Sequence, residues 1–355
     1  MVADRDELIT RYLVAIDREL ESIANRERRV PKLTTLFVGG GTPTHLPIDS
    51  LDQFLSSVRN RFELDASGEW SMEANPEDLT DEKLTLMSGY GVNRLSLGVQ
   101  SFDDRKLKVL ERGHTGRGAE ETIRRAAEVI PNISIDLIFS APGESVSDWA
   151  SDLQIAESLP IKHVSTYALT FEKGTSFWIR RHRGDLRAVE ESDEIDMYDL
   201  SRDVFARAGL EHYEISSFAR AGFRCRHNLA YWRGDGWYAA GPGAAAFVDG
   251  CRSVNHRSTT TYLKRMENGQ SPIAESETIS AEQAAREGAA FGVRMIDGID
   301  LKQLEQNSDV AIQSICGDEL RQLASQGLIE RDGSRIKLTE RGIHFADTVA
   351  SELLG

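Results

Sequence analysis

Three consecutive glycines, Gly39-Gly40-Gly41, lead into Thr42-Pro43 and strip the Cβ atoms from a turn. A ligand can then approach bare backbone N–H and C=O groups. No Gly-Lys-Ser/Thr follows, so the loop is not a Walker A, and its spacing is not the Gly-x-Gly-x-x-Gly of dinucleotide folds. Farther on, Glu73, Gln100 and Asp136 each stand in a short apolar run. Arg112, in Glu111-Arg112-Gly113-His114, offers a guanidinium suited to a carboxylate. Cys225 and His227 place two metal-ligating groups just before Tyr231-Trp232, whose rings suit stacking on a planar ligand. Taken singly, each has a plainer reading: a tight turn, a satisfied strand-end carboxylate, a surface arginine, a packed histidine. Their convergence is what argues for a site.

The elements that must position them alternate along the chain. Strand-like runs at 33–38, 70–75, 94–101, 133–139 and 164–170 are separated by helical stripes such as Leu51, Phe54, Leu55, Val58, Phe62 and Ile123, Ala126, Ala127, Ile130. Such β/α units predict a parallel sheet, with a sixth strand at 213–218. Residues i and i+2 share one face of a strand, so alternation sorts the polar residues. Leu95, Leu97 and Val99 oppose Ser96, Gly98 and Gln100; Met72 and Ala74 oppose Ser71, Glu73 and Asn75; Ile133, Ile135, Leu137 and Phe139 oppose Ser134, Asp136 and Ile138. Glu73, Gln100 and Asp136 therefore fall on the face away from the helices, toward the C-terminal strand ends where parallel α/β folds bind ligands. Spacing alone does not choose between a doubly wound sheet and an incomplete barrel.

The flanks are helical at first and mixed at the end. Leu8, Ile9, Tyr12, Leu13, Ile16 and Leu20 predict an amphipathic opening helix. The charged run Arg180-Arg-His-Arg-Gly-Asp185 reads as a solvated face, followed by a helix around 195–208. Residues 222–260, rich in Gly, aromatic and Arg residues, read as loop-dominated. The capping-box spacing Ser280-Ala-Glu-Gln283 opens a helical tail, and two short strands around Asp332-Gly333 suggest a winged-helix-like module.

Composition narrows the classes. With 355 residues the chain holds two or three packed units, and 42 Lys plus Arg against 57 Asp plus Glu give a net charge of −15. That balance opposes nucleic-acid binding, including by the tail module. Three cysteines, with no Cys-x-x-Cys pair, provide no disulfide framework and suit a reducing cytoplasm. No stretch reaches the ~18 apolar residues of a membrane span, and the opening residues lack signal-peptide order, so a cytoplasmic chain without a span is expected. Peripheral membrane contact stays open.

The segments Gly39-Gly-Gly-Thr-Pro, Glu73-Ala-Asn-Pro, Gly91-Val-Asn-Arg-Leu-Ser-Leu-Gly-Val-Gln-Ser-Phe, Asp136-Leu-Ile, Tyr213-Glu-Ile-Ser and Cys225-Arg-His-Asn-Leu-Ala-Tyr-Trp stand in one order. Together they resemble radical S-adenosylmethionine proteins of the oxygen-independent coproporphyrinogen oxidase type, along nearly the whole chain. His227-Asn-x-x-Tyr-Trp232 is similar to the signature of the HemW haem chaperone family. The resemblance implies a partial (β/α)6 TIM-like radical SAM barrel, N-terminally truncated, over 1–220, a connecting segment over 221–279 and a C-terminal α+β winged-helix-like domain over 280–355. It implies S-adenosyl-L-methionine across the strand ends, with Gly40, Gly41 and Thr42 on its methionine or ribose and Glu73, Gln100, Arg112 and Asp136 among its contacts. It makes His227 a candidate haem contact. Where relatives carry Gly-Ala-His, this chain has Gly243-Ala-Ala-Ala246.

The same resemblance implies a [4Fe-4S] cluster held by Cys-x-x-x-Cys-x-x-Cys, a loop absent from this sequence. We expect the assigned Met1 to be an internal codon, with the loop encoded upstream; real loss of the loop is the other expectation. The chain as given should hold no metal through that site, which leaves its status as an enzyme open. The implied function is haem binding and transfer to haem-accepting proteins. The alternative is an oxygen-independent coproporphyrinogen III dehydrogenase that decarboxylates two propionates. An unrelated barrel hydrolase using Glu73 and Asp136 as an acid/base pair is a third, weaker reading.

Overall fold

A computed structural model describes residues 6–26, 32–171, 173–174, 176–184 and 186–355. Thirteen strands form among them: β1 (Lys32–Val38), β2 (Glu63–Ala74), β3 (Arg94–Gln100), β4 (Ile133–Phe139), β5 (His163–Ala168), β6 (Glu211–Glu214), β7 (Ser217–Ala219), β8 (Ala245–Val248), β9 (Cys251–Asn255), β10 (Ile273–Thr278), β11 (Ile299–Asp300), β12 (Ile329–Asp332) and β13 (Arg335–Leu338). One seven-stranded sheet runs in the order β1-β2-β3-β4-β5-β7-β6. The pairs β2–β3, β3–β4 and β4–β5 are parallel, as the β/α alternation predicts. Helices separate them, and the fold is α/β with a curled, half-barrel sheet.

The apolar stripes bury as their spacing requires. In the helix Ile48–Arg61, Leu51, Leu55 and Val58 are buried; in the helix Gly116–Val129, Ala119, Ile123 and Ala126 are. Met72, Leu95, Leu97, Val99, Ile133, Ile135 and Leu137 are fully enclosed, each large side chain contributing about 1.5–3 kcal/mol. The opening helix spans Asp6–Arg26 and buries Ile9, Leu13 and Ile16.

Two readings are corrected. The segment 213–218 is not one parallel strand: β6 and β7 form an antiparallel hairpin, and β7 pairs antiparallel with β5. The Ile215-Ser216 turn breaks the run, and the Ser216 carbonyl accepts from the Thr166 N–H. Residues 222–260 are loop over only about half their length. They hold the helix Arg226–Arg233, β8, β9 and the start of the helix Thr259–Glu267, and β8 and β9 join β10 in a three-stranded antiparallel sheet. The charged run enters the helix Ser176–His182; Asp185 lies outside the described residues.

The chain divides into two compact units, one of residues 1–36, 46–68 and 226–355 and one of residues 37–45 and 69–225. In the first, the predicted capping box forms, with the Ser280 hydroxyl accepting from Gln283 N–H and the Gln283 side chain accepting from Ser280 N–H. The predicted strands around Asp332-Gly333 are β12 and β13, which with β11 make the wing-like sheet β11-β13-β12. Among the described residues, no helix is long and apolar enough to cross a membrane.

Candidate functional site

Parallel registry sets the site. Glu73 pairs with Ser96, Ser96 with Ser134, and Asp136 with Ser165, so the polar faces of β2, β3, β4 and β5 meet in a row near their C-terminal ends. There a cavity of about 320 Å³ is lined by Glu73, Gln100 and Asp136, and by Gly40, Gly41, Thr42 and Arg112 from the loops. All of these belong to the unit of residues 37–45 and 69–225. His227 belongs to the other unit and does not line this cavity.

The glycine loop is fixed by contact as much as by freedom. A Cβ on Gly39 would stand 2.3 Å from a Phe37 ring carbon and 2.6 Å from the Glu73 carboxyl carbon, so any larger residue would displace the Phe37 ring and the Glu73 carboxyl. Gly40 takes a φ of +79°, and its N–H donates to Glu73 Oε2 at 3.1 Å. Around Gly41 a Cβ would meet nothing within 4 Å, which leaves space against the backbone. At the end of β3, Gln100 adopts a left-handed φ of 66°, and at the end of β4 Ser140 adopts 63°. Non-glycine residues in that region cost of order 1–3 kcal/mol, a strain that collects at ligand sites. At β3 it coincides with a register break between Leu97 and Gln100.

Burial and charge perturb the two carboxyls. Glu73 is pushed up to about 7, first by desolvation and then by the charge of Asp136, with the Gly40 N–H opposing. Asp136 is pushed up to about 6 by burial, opposed by the Arg94 guanidinium and the hydroxyls of Ser165 and Ser96. Arg94 is itself buried and donates to Ser71 Oγ at 3.4 Å. Behind this layer His163 bridges Ser134 Oγ (2.8 Å) and the Tyr213 hydroxyl (2.8 Å), and burial holds it neutral. Two carboxyls near neutrality, one exposed guanidinium and bare backbone suit a ligand that carries a cation, hydroxyls and a carboxylate. Asn75, Ser96 and Gly98 also line the cavity. Period-2 alternation puts all three on this face, though their residue types alone point to no role.

His227 sits on the helix Arg226–Arg233, half-buried. Its Nδ1 meets Thr35 Oγ1 at 3.0 Å and its Nε2 meets the Tyr231 hydroxyl at 2.8 Å. Both ring nitrogens are thus engaged, so ligating iron means giving up one of them. The rings continue outward: Tyr231 meets Trp237 edge-on at 4.8 Å, and Trp237 meets Phe247 at 5.6 Å. These two rings, unlike His227 and Tyr231, were not singled out from sequence, because 222–260 read as loop.

The thiols do not fit a three-thiolate cluster. Cys225 is buried, with its Sγ 3.7 Å from Glu69 Oε1. Cys251 donates to the Arg252 carbonyl and Cys316 to the Ile312 carbonyl, and burial pushes Cys316 up to about 11. Among the described residues, no group of three His, Cys, Asp or Glu is placed to hold a metal ion.

Comparison with known proteins agrees with this architecture. The family model for the radical SAM superfamily matches residues 9–156, and that for the HemN C-terminal domain matches 279–345. The heme chaperone HemW of Lactococcus lactis is 32% identical over 347 residues, covering 98% of this chain and 90% of the relative. That of Mycobacterium tuberculosis is 35% identical over 346 residues, covering 97% and 86%. Among solved structures, the Escherichia coli coproporphyrinogen III oxidase HemN, a radical SAM enzyme, superposes with a TM-score of 0.85 at 20% identity, covering 99% of this chain and 84% of that one. Fold and near-full-length identity together place the chain in the HemW family of heme chaperones, on the radical SAM scaffold.

Proposed function

We propose that the chain acts in the cytoplasm as a haem chaperone, binding haem and passing it to haem-accepting proteins, with S-adenosylmethionine held in the cavity of Glu73 and Asp136. One observation carries the reading: identity of 32% and 35% to heme chaperones along nearly the whole chain, against 20% to the oxidase of the same fold. S-adenosylmethionine supplies a sulfonium cation, an amino-acid head and ribose hydroxyls. The Gly40-Gly41 backbone and Thr42 cradle that ligand, and Arg112 takes its carboxylate. Gln100 offers an amide to either end. Glu73, held near 7 beside Asp136, gives up its proton when a cation arrives, so binding neutralises two carboxyls that otherwise repel. His227 exchanges its Tyr231 or Thr35 hydrogen bond for haem iron, with the neighbouring rings flanking the macrocycle.

Haem delivery requires no turnover. The experiment is transfer from the haem-loaded chain to an apo-haem protein, followed by the recipient's Soret band. Appearance of that band at a rate above free hemin supports the reading. Release of carbon dioxide from coproporphyrinogen III by this chain, without haem transfer, would replace it with the oxidase reading.

A further inference from the structure

Lys106 carries a buried ammonium and does not line the cavity. Its side chain, on the helix Asp104–Val109, is 7% exposed and pairs with two carboxylates that are each 2% exposed, Glu144 at 2.5 Å and Asp152 at 3.1 Å. The ring of buried Trp149 lies 4.8 Å from the same ammonium. Asp152, on the helix Val146–Glu157, also accepts from Ser101 Oγ at 2.6 Å and from the Phe102 N–H at 2.7 Å. Glu144 accepts from the Ala141 N–H at 2.9 Å. These three donors come just after Gln100 and Ser140, the non-glycine residues that give the ends of β3 and β4 a left-handed backbone. One ammonium thus ties together the carboxylates that pin both strained strand ends, and all of these residues belong to the unit of residues 37–45 and 69–225.

A buried ion pair is a poor device for fastening helices to a sheet, because apolar side chains of the same volume do it as well or better. What a carboxylate adds is a fixed acceptor for particular N–H and O–H groups. A non-glycine residue stays in the left-handed region only where its surroundings hold it there. The register break between Leu97 and Gln100 is the kind of irregularity that re-aims a side chain beside a site. Released from Asp152, the turn relaxes toward extended backbone and carries the Gln100 amide away from the cavity it lines. We infer that Lys106, Glu144 and Asp152 are positioning residues for the cavity: through Ser101 and Phe102 they hold Gln100 in the conformation that faces a bound ligand. The inference rests on the reading of the cavity as a site for S-adenosylmethionine.

The test is a double-substitution cycle on the full chain, with S-adenosylmethionine affinity read by calorimetry and the unfolding midpoint read from urea melts of the same samples. Asp152→Asn, which keeps the shape and removes the charge, should weaken affinity about tenfold, and so should Lys106→Met, which leaves the two carboxylates unbridged. In a Gln100→Ala background the Asp152→Asn step should cost no more than about twofold, because the group it positions is gone. Leu153→Ala takes buried apolar contact from the same helix without removing any of these hydrogen bonds. It should lower the midpoint and change affinity by no more than about twofold. Ser101→Ala removes one hydroxyl and no charge; it should show a smaller loss of the same kind, and it decides the matter if the charged variants do not fold. Equal losses from Asp152→Asn in the wild-type and Gln100→Ala backgrounds, or a loss from Leu153→Ala as large as that from Asp152→Asn, would overturn the inference. Unchanged affinity in Asp152→Asn and Ser101→Ala would overturn it as well and leave the cavity reading standing. A wild type that binds no S-adenosylmethionine would overturn both.

Discussion

Glu73 is where the site costs the fold most visibly. Its folded value of about 7 lies above the unfolded 4.5. A carboxyl raised in this way costs nothing below the unfolded value and progressively more as pH rises to the folded one, because ionising it means charging a buried group beside Asp136. Glu73→Gln should therefore be more stable than wild type at pH 8, by ~1–2 kcal/mol after allowance for partial exposure, with the difference vanishing below pH 4.5. Denaturant melts across that range measure it; a variant no more stable at pH 8 would contradict the account. In wild type, affinity for S-adenosylmethionine should rise between pH 6 and 8 as Glu73 ionises, read by calorimetry. Gly39→Ala should lose roughly tenfold or more of that affinity, since the added Cβ runs into Phe37 and Glu73. Alternation made Glu73 and Asp136 legible because both sit inside regular strand. It placed Gln100 on the right face while missing its left-handed backbone, since nothing in a residue type announces a register break.

At the scale of elements, apolar runs and helical stripes foretold β1, β3, β4 and β5 closely, and β2 in its second half. Its first half, from Glu63 to Gly68, keeps the alternation, but Ala66 and Gly68 are weak strand formers and only Gly68 is buried, so it does not read as strand. The β8–β10 meander was illegible for a similar reason: Ile273–Thr278 is exposed along nearly its whole length and shows no alternation. The hairpin β6–β7 escaped because four- and three-residue strands are shorter than any period can establish. The wing-like module was readable from its cap and turn. Its tightness is a structural fact: a Cβ on Gly342 would stand 1.8 Å from the Leu328 carbonyl oxygen, in a turn where the Gly342 N–H donates to Thr339 Oγ1. Gly342→Ala should destabilise this module by about 2 kcal/mol, seen as faster amide exchange in 279–345. Unchanged exchange there would refute the packing argument.

For the whole molecule, the acidic balance and the absence of a three-thiolate set bear on function together. No step routed through a cluster follows from these residues, and the chain purified under anaerobic conditions after iron and sulfide reconstitution should hold well below one cluster per chain. Stoichiometric iron and acid-labile sulfide would contradict that. The central claim is haem binding, on a scaffold whose relatives are heme chaperones. The most direct test of that claim is a hemin titration followed in the Soret region for wild type and His227→Ala. The account predicts a saturable shift at one haem per chain for wild type and a loss of affinity of roughly tenfold or more, with a changed band, when the imidazole is removed. A wild type without a saturable shift, or a variant indistinguishable from it, would contradict the account.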